Sequence, residues 1–275
     1  MIGAMAGFAI EDAFLKAASA HMPAAQVMIL FGLGGALVFA ALALLNGQSL
    51  YVPDVTSRPM IVRVFFEVFG RLFYTLAIVL TPLSVATVIL QATPLAVVIG
   101  AVFFFKERVG WRRWLAILLG LVGVIVIVQP AGEGFSALSI LAVLGMIGFA
   151  GRDLASRVAP ATVGTWRLGL YGFLAIVVAG IFYAFWEDRA FVFPPLTACW
   201  ALLGAVVFGV FGYSSLMKAM RTGDVSAVTP FRYTRLLFGI VLGILVFGET
   251  LTSAMLIGSA LIVLSGLFIL WRARQ

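Results

Sequence analysis

The stretch Gly7-Phe8-Ala9-Ile10-Glu11-Asp12 returns 141 residues later as Gly148-Phe149-Ala150-Gly151-Arg152-Asp153, and this recurrence decides the fold. At the same offset Lys16 falls on Arg157; at an offset of 142, Ala77 falls on Ala219, Ser84 on Ser226, Thr87 on Thr229 and Glu107 on Glu249. A register held along the whole chain marks an internal duplication, because chance identity among common apolar residues would not keep it.

The duplicated unit belongs in a membrane. Of the 275 residues 63% are apolar and only 11% charged, and the mean hydropathy is +1.17, whereas a water-facing domain needs roughly 25% charged residues. Apolar runs and the breakers between them predict ten spans, near residues 2–20, 24–45, 62–80, 83–104, 112–129, 137–157, 163–185, 196–218, 225–247 and 253–271. Only 46–61 is long enough to be a loop, and no stretch makes an extramembrane domain. The first segment carries Glu11, Asp12 and Lys16 and lacks a basic start and a small-residue cleavage site, so it is expected to be a retained helix rather than a secretory signal.

Five spans per copy is an odd number, so the second copy enters the membrane the opposite way round. The expected fold is all-α integral membrane: ten transmembrane helices as two inverted-topology five-helix repeats, 1–131 (spans 1–5) and 136–275 (spans 6–10). Two similar halves of opposite orientation can exchange conformations and expose a shared central site to either side in turn. Basic residues set the orientation. With the N-terminus inside, Arg58, Arg63, Lys106, Arg108, Arg112, Arg113, Arg157, Arg167, Lys218, Arg221, Arg272 and Arg274 fall on inner connections and Arg189 alone on an outer one. Both termini are therefore expected in the cytoplasm, and the net charge of +7 reflects inner loops rather than nucleic-acid binding.

The segment Gly223–Thr252, GDVSAVTPFRYTRLLFGIVLGILVFGETLT, resembles the end-of-repeat signature of the EamA domain, which defines the drug/metabolite transporter superfamily. The first half holds a related version starting at Thr81, with Pro94 thirteen residues before Glu107, whereas Pro230 precedes Glu249 by nineteen. The resemblance covers essentially the whole chain. It implies a multi-pass secondary carrier of the bacterial inner membrane, working by alternating access. Family members export amino acids, aromatic ones included, or move riboflavin, S-adenosylmethionine and similar metabolites. Amino-acid export is the expectation, with import as the alternative because Phe231-Arg232-Tyr233 also occurs in importing branches.

A charge at membrane depth is costly unless paired or wet, so the few charges inside spans are the candidate site. Glu67, Arg71 and Tyr74 share one face of the third span; either Glu67 pairs with Arg71, or Arg71 and Tyr74 hold a substrate carboxylate and aromatic group. Glu11 and Asp12 are equivalent to Arg152 and Asp153, which suggests either a structural Glu11–Arg152 ion pair or a gate. In the ninth span Arg232, Tyr233 and Arg235 either snorkel to the headgroups or face the cavity beyond a helix break at Pro230. Gln91 beside a second break at Pro94, and Tyr213 on a polar face of the eighth span, complete the set. Gly3-x-x-x-Gly7 and Gly239-x-x-x-Gly243 read as close helix packing, and Glu107 and Glu249 as caps or loop partners.

Other classes lose support. A single Cys199 and a single His21 exclude disulfide frameworks and Cys/His zinc sites. No clustered aspartates and no nucleophile beside a base point to a membrane enzyme, and no phosphate-binding loop points to ATP. The expected partners are the lipid bilayer and an amino-acid-like small molecule, with no cofactor, no metal and no nucleic acid, in a monomer or homodimer.

Overall fold

The computed structural model describes residues 1–80, 89–128, 138, 140–222, 224–247 and 253–272. Ser84, Thr87, Glu249 and Arg274, and the side-chain positions of Lys16, Ser226, Pro230, Gly243, Trp271 and Arg272, lie outside the described part. Among the described residues the regular structure is helical. In chain order the helices are α1 (Ile2–Ser19), α2 (Ala24–Leu45), α3 (Arg58–Leu80), α4 (Thr93–Phe105), α5 (Trp111–Val128), α6 (Ile140–Val158), α7 (Thr165–Glu187), α8 (Leu196–Met220), α9 (Thr234–Phe247) and α10 (Ser253–Arg272). A short 3-10 turn, Pro53–Thr56, lies in the connection between α2 and α3.

The breakers act where their chemistry requires. Pro23 and Pro195 stand at the N-caps of α2 and α8, where a missing N–H costs nothing. Lys106 and Asp188 adopt left-handed backbone, φ 52° and 45°, and close α4 and α7. Glu187 reaches from the end of α7 to the start of α2, accepting from the Ala24 and Ala25 N–H groups at 2.9 and 2.8 Å. A carboxylate there satisfies two orphan donors and the positive end of the helix dipole. Pro94 lies in the first turn of α4, after a turn at Gln91 and Ala92. The ninth span is interrupted: one helical turn, Val225–Val228, passes through 3-10 backbone at Thr229–Tyr233, which contains Pro230, into α9. Proline cannot donate to the preceding turn, so the backbone tightens around it.

The main packing pairs are α1 with α8, α3 with α6, α2 with α7 and α5 with α10, followed by α3–α7, α1–α9, α4–α6 and α2–α8. Replacing each helix by the one five places away turns α1–α8 into α6–α3, α1–α9 into α6–α4 and α2–α8 into α7–α3; it returns α2–α7 and α5–α10 to themselves.

Two of these crossings are built on glycine. A Cβ on Gly7 would stand 2.9 Å from the Cα of Gly212, and one on Gly70 would stand 3.0 Å from the carbonyl carbon of Gly148. Gly7 and Gly148 are 141 residues apart, Gly70 and Gly212 142 apart, so the α1–α8 and α6–α3 contacts use equivalent positions. Gly3 makes only an ordinary contact with Phe211, and a Cβ on Gly239 would meet nothing within 4 Å. Among the described residues the close packing expected at Gly239 is not found; that glycine lies on an exposed face of α9.

Large apolar side chains are exposed while several charged ones are inside. Leu37, Phe103, Phe104, Phe185 and Trp200 are exposed, while Glu11, Arg63, Glu67, Arg152 and Asp153 are buried. Such an arrangement is unfavourable in water and natural in lipid. An apolar groove between α5 and α10, lined by Leu115, Leu119, Leu264 and Phe268 among others, has no polar side chain among the described residues to orient a ligand. Among the described residues α2, α7 and α8 meet the length and apolarity of a membrane span outright, whereas α1, α3 and α6 each carry three or more charges.

Candidate functional site

Arg63 and Glu67 of α3, Arg152 and Asp153 of α6 and Arg232 of the interrupted ninth segment form one buried chain of alternating sign. Arg63 Nε donates to Ser156 Oγ at 2.9 Å and Nη2 donates to the Leu168 carbonyl at 2.8 Å and to the Tyr213 hydroxyl. Tyr213 donates in turn to Glu67 Oε2 at 2.6 Å. Arg152 Nη1 meets Glu67 Oε1 at 3.0 Å and its Nε meets Asp153 Oδ1 at 2.8 Å. Arg232 Nη1 pairs with the other oxygen of Asp153. Glu67 and Asp153 each have both oxygens engaged, which is what lets carboxylates remain buried.

This network replaces three expectations. Arg63 is no loop charge: it is fully buried inside α3 and is the hub of the cluster. Glu67 does not pair with Arg71, because Arg152 crosses to it from α6 and Tyr213 takes its second oxygen. Arg152 does not pair with Glu11, because its guanidinium is committed to Glu67 and Asp153.

A second, more open set lies beside it. Arg235 Nε donates to Asp12 Oδ2 at 3.0 Å and its Nη2 pairs with the same oxygen. The Asp12 side chain is 54% exposed, whereas that of Asp153, its equivalent, is 0% exposed. Arg71 makes no ion pair among the described residues, and its Nε is buried without a hydrogen-bond partner. Its guanidinium lies 5.8 Å from the ring centre of Phe149, which Arg152 approaches to 5.0 Å and against which Tyr74 packs edge-on at 5.7 Å. Arg235 stands 5.4 Å from the ring of Phe8, the residue equivalent to Phe149.

Glu11 is 3% exposed and faces Gly209, with Oε2 3.3 Å from where a Cβ on that glycine would be. Gln91 is buried at the turn before α4. Tyr233 points elsewhere: its hydroxyl donates to the Ile117 carbonyl at 3.1 Å and its ring packs on Gly120 of α5. It fastens the interrupted span to α5 and takes no part in the polar cluster. Among the described residues no three His, Cys, Asp or Glu side chains gather as a metal site.

Arg63, Phe8, Phe149 and Gly209 are not among the site residues that the sequence suggests. The spacing Arg63-x-x-x-Glu67-x-x-x-Arg71 was the available signal for the first; the aromatic and glycine positions become meaningful only once their neighbours on other helices are known. Several connections between helices are also knitted together. Arg167 donates to the Ser49 and Thr162 carbonyls at 2.7 and 2.8 Å, Arg221 to Val163 at 2.9 Å, and Glu107 accepts from the Val225 N–H at 3.2 Å.

A helical membrane bundle with charges gathered between its halves defines a polytopic transporter. The chain belongs to the EamA-like transporter family, whose model matches residues 1–129 and 137–271, and it is a multi-pass membrane protein that moves small molecules. It is 27% identical over 224 residues, 80% of its length and 75% of the relative's, to the S-adenosylmethionine uptake transporter of Rickettsia bellii. It is 29% identical to the riboflavin transporter of Vibrio cholerae, over 78% of this chain and 72% of that one. To the pseudopaline exporter CntI of Pseudomonas aeruginosa it is 28% identical over 94% and 90% of the two chains. A protein of known crystal structure superposes with a TM-score of 0.83 at 22% identity, covering 99% of this chain and 96% of the other, and shares its fold.

Proposed function

We propose that this protein is a bacterial inner-membrane carrier for small metabolites bearing an amino-acid head group, with aromatic amino acids among them. In this reading the two five-helix halves, inserted in opposite senses with both termini in the cytoplasm, work by alternating access. The exchange pattern of helix pairs and the equivalent glycine crossings support the opposed repeat. The Arg63–Glu67–Arg152–Asp153–Arg232 network then lies toward the inner ends of its helices and closes that side, while the more exposed Asp12–Arg235 pair lies on the way to the outer face.

One observation carries the substrate class. Arg71 is a guanidinium inside the bundle with an unused, buried donor, next to the aromatic rings of Phe149 and Tyr74. A planar donor of fixed charge suits a carboxylate, and the rings suit an apolar or aromatic body. The named relatives include both uptake and export proteins; the proposed direction is export, with import as the alternative.

Counterflow in liposomes tests the reading. L-Phenylalanine, L-tryptophan, S-adenosylmethionine and riboflavin are loaded in turn, and uptake of the labelled compound is followed. Flux of at least one amino-acid-headed compound is expected, abolished by Arg71→Ala without loss of folding. Flux of riboflavin alone, or full activity in Arg71→Ala, overturns the proposal.

A further inference from the structure

We propose that Glu11 receives the ammonium group of the substrate, at a position where the other half of the protein carries an internal ion pair. The inference rests on the amino-acid reading above and deepens it. It starts from the two equivalent helix crossings. In the α3–α6 crossing, position 152 meets position 67, and the pair is Arg152 with Glu67 at 3.0 Å. The offsets of 141 and 142 that relate the halves carry these positions to 11 and 209 in the α1–α8 crossing. There the residues are Glu11 and Gly209, facing each other with Oε2 3.3 Å from an ideal Cβ on the glycine. One crossing holds acid and base; its counterpart holds an acid opposite a glycine, which offers no basic side chain.

Glu11 is thereby left alone. Among the described residues no hydrogen bond or ion pair reaches either of its oxygens, although it is 3% exposed. The cations around it are otherwise engaged: Arg152 with Glu67 and Asp153, Arg235 with Asp12. Arg71 is within electrostatic reach of Glu11 and makes no ion pair with it. A lone carboxylate in a membrane interior requires a neutralising cation or proton, and a ligand that brings its own cation meets that requirement. The ring of Phe31, 2.9 Å from an ideal Cβ on Gly209, borders the same space, and an ammonium group is attracted to aromatic rings. Among the described residues Glu11 and Arg71 are an anion and a cation without an ion pair, the complement of a zwitterion.

Equilibrium binding to the purified protein separates the possibilities. The probes are L-phenylalanine and S-adenosylmethionine, which carry ammonium and carboxylate, and 3-phenylpropionate, which lacks the ammonium. Glu11→Gln keeps the shape and removes the charge. It is expected to weaken whichever zwitterion the wild type binds by about tenfold or more, the scale of a lost charge-assisted hydrogen bond, and to leave 3-phenylpropionate within about twofold. A Glu11→Gln protein that binds the zwitterion as wild type does overturns the assignment while the amino-acid reading stands. Wild type that binds neither zwitterion overturns both. Should Glu11→Gln fail to fold, Glu11→Asp, which retains the charge, must keep the preference for the ammonium-bearing probe, and loss of that preference with folding intact counts against the proposal.

Discussion

Arg152 Nη1 lies 3.0 Å from Glu67 Oε1, joining α6 to α3 across the crossing where Gly70 and Gly148 bring the two backbones together. Both side chains are buried, and Glu67 is also the only carboxylate within ion-pair distance of Arg63 among the described residues. Removing its charge leaves two guanidinium groups short of an anion. One-sided loss of a buried pair costs about 3–5 kcal/mol. Glu67→Gln is therefore expected to lower the melting temperature of the purified protein substantially, and Glu67→Gln/Arg152→Gln to recover part of the loss. A single variant that melts with the wild type would show that the network contributes nothing to stability.

The glycine positions allow a sharper contrast. A methyl group on Gly148 would run into the backbone of Gly70, which cannot rotate away, and overpacking of this kind costs about 1–3 kcal/mol. Gly239 has open space around it, so a methyl there changes stability by no more than about 0.5 kcal/mol. Thermal melts of Gly148→Ala and Gly239→Ala should differ accordingly. Equal melts would mean that α3 and α6 do not meet as described.

Much of the helical layout was legible because hydropathy and proline are local signals. The segment read as 24–45 is helix Ala24–Leu45, and the breaks at Pro94 and Pro230 fall where α4 starts and where the ninth span turns 3-10. Partner choice was not legible. Glu67 has arginines at i−4 and i+4 on its own helix, yet its closest cationic partner among the described residues is Arg152, 85 residues away, because a glycine crossing brings α6 within reach. Arg63 was assigned to a loop by its nearness to a span end, and its real neighbours, Ser156, Leu168 and Tyr213, come from three other helices. Charge at membrane depth singles out Glu67, Arg152, Asp153 and Arg232 from sequence; the pairing among them, and the part of Arg63 in it, is a property of the tertiary fold.

Equivalent acids in unequal surroundings should respond differently to the same change. Asp153 is fully buried between Arg152 and Arg232, whereas the pair of Asp12 with Arg235 is open. Asp12→Asn is expected to cost about 0–1 kcal/mol, as exposed ion pairs do, and to lower counterflow because the pair borders the proposed site. Asp153→Asn should cost more than Asp12→Asn and leave little folded protein to assay. Melting curves and flux measured together check this; the reverse order of stability would remove the distinction between a sealed and an open side.

The sequence supplies its own probe of orientation. Cys199 is the single cysteine, it is exposed, and it lies in the first turn of α8, beside the exposed Trp200. With both termini in the cytoplasm, α8 starts at the outer face, the side of the one outer basic residue, Arg189. A membrane-impermeant maleimide added to intact spheroplasts should therefore label the unmodified protein, and Cys199→Ser should abolish the signal. The same reagent applied to inside-out vesicles should label it only after the membrane is opened with detergent. Labelling in the vesicles alone would place the start of α8 in the cytoplasm, reverse the orientation of every helix and put the Arg63–Glu67 network on the outer side.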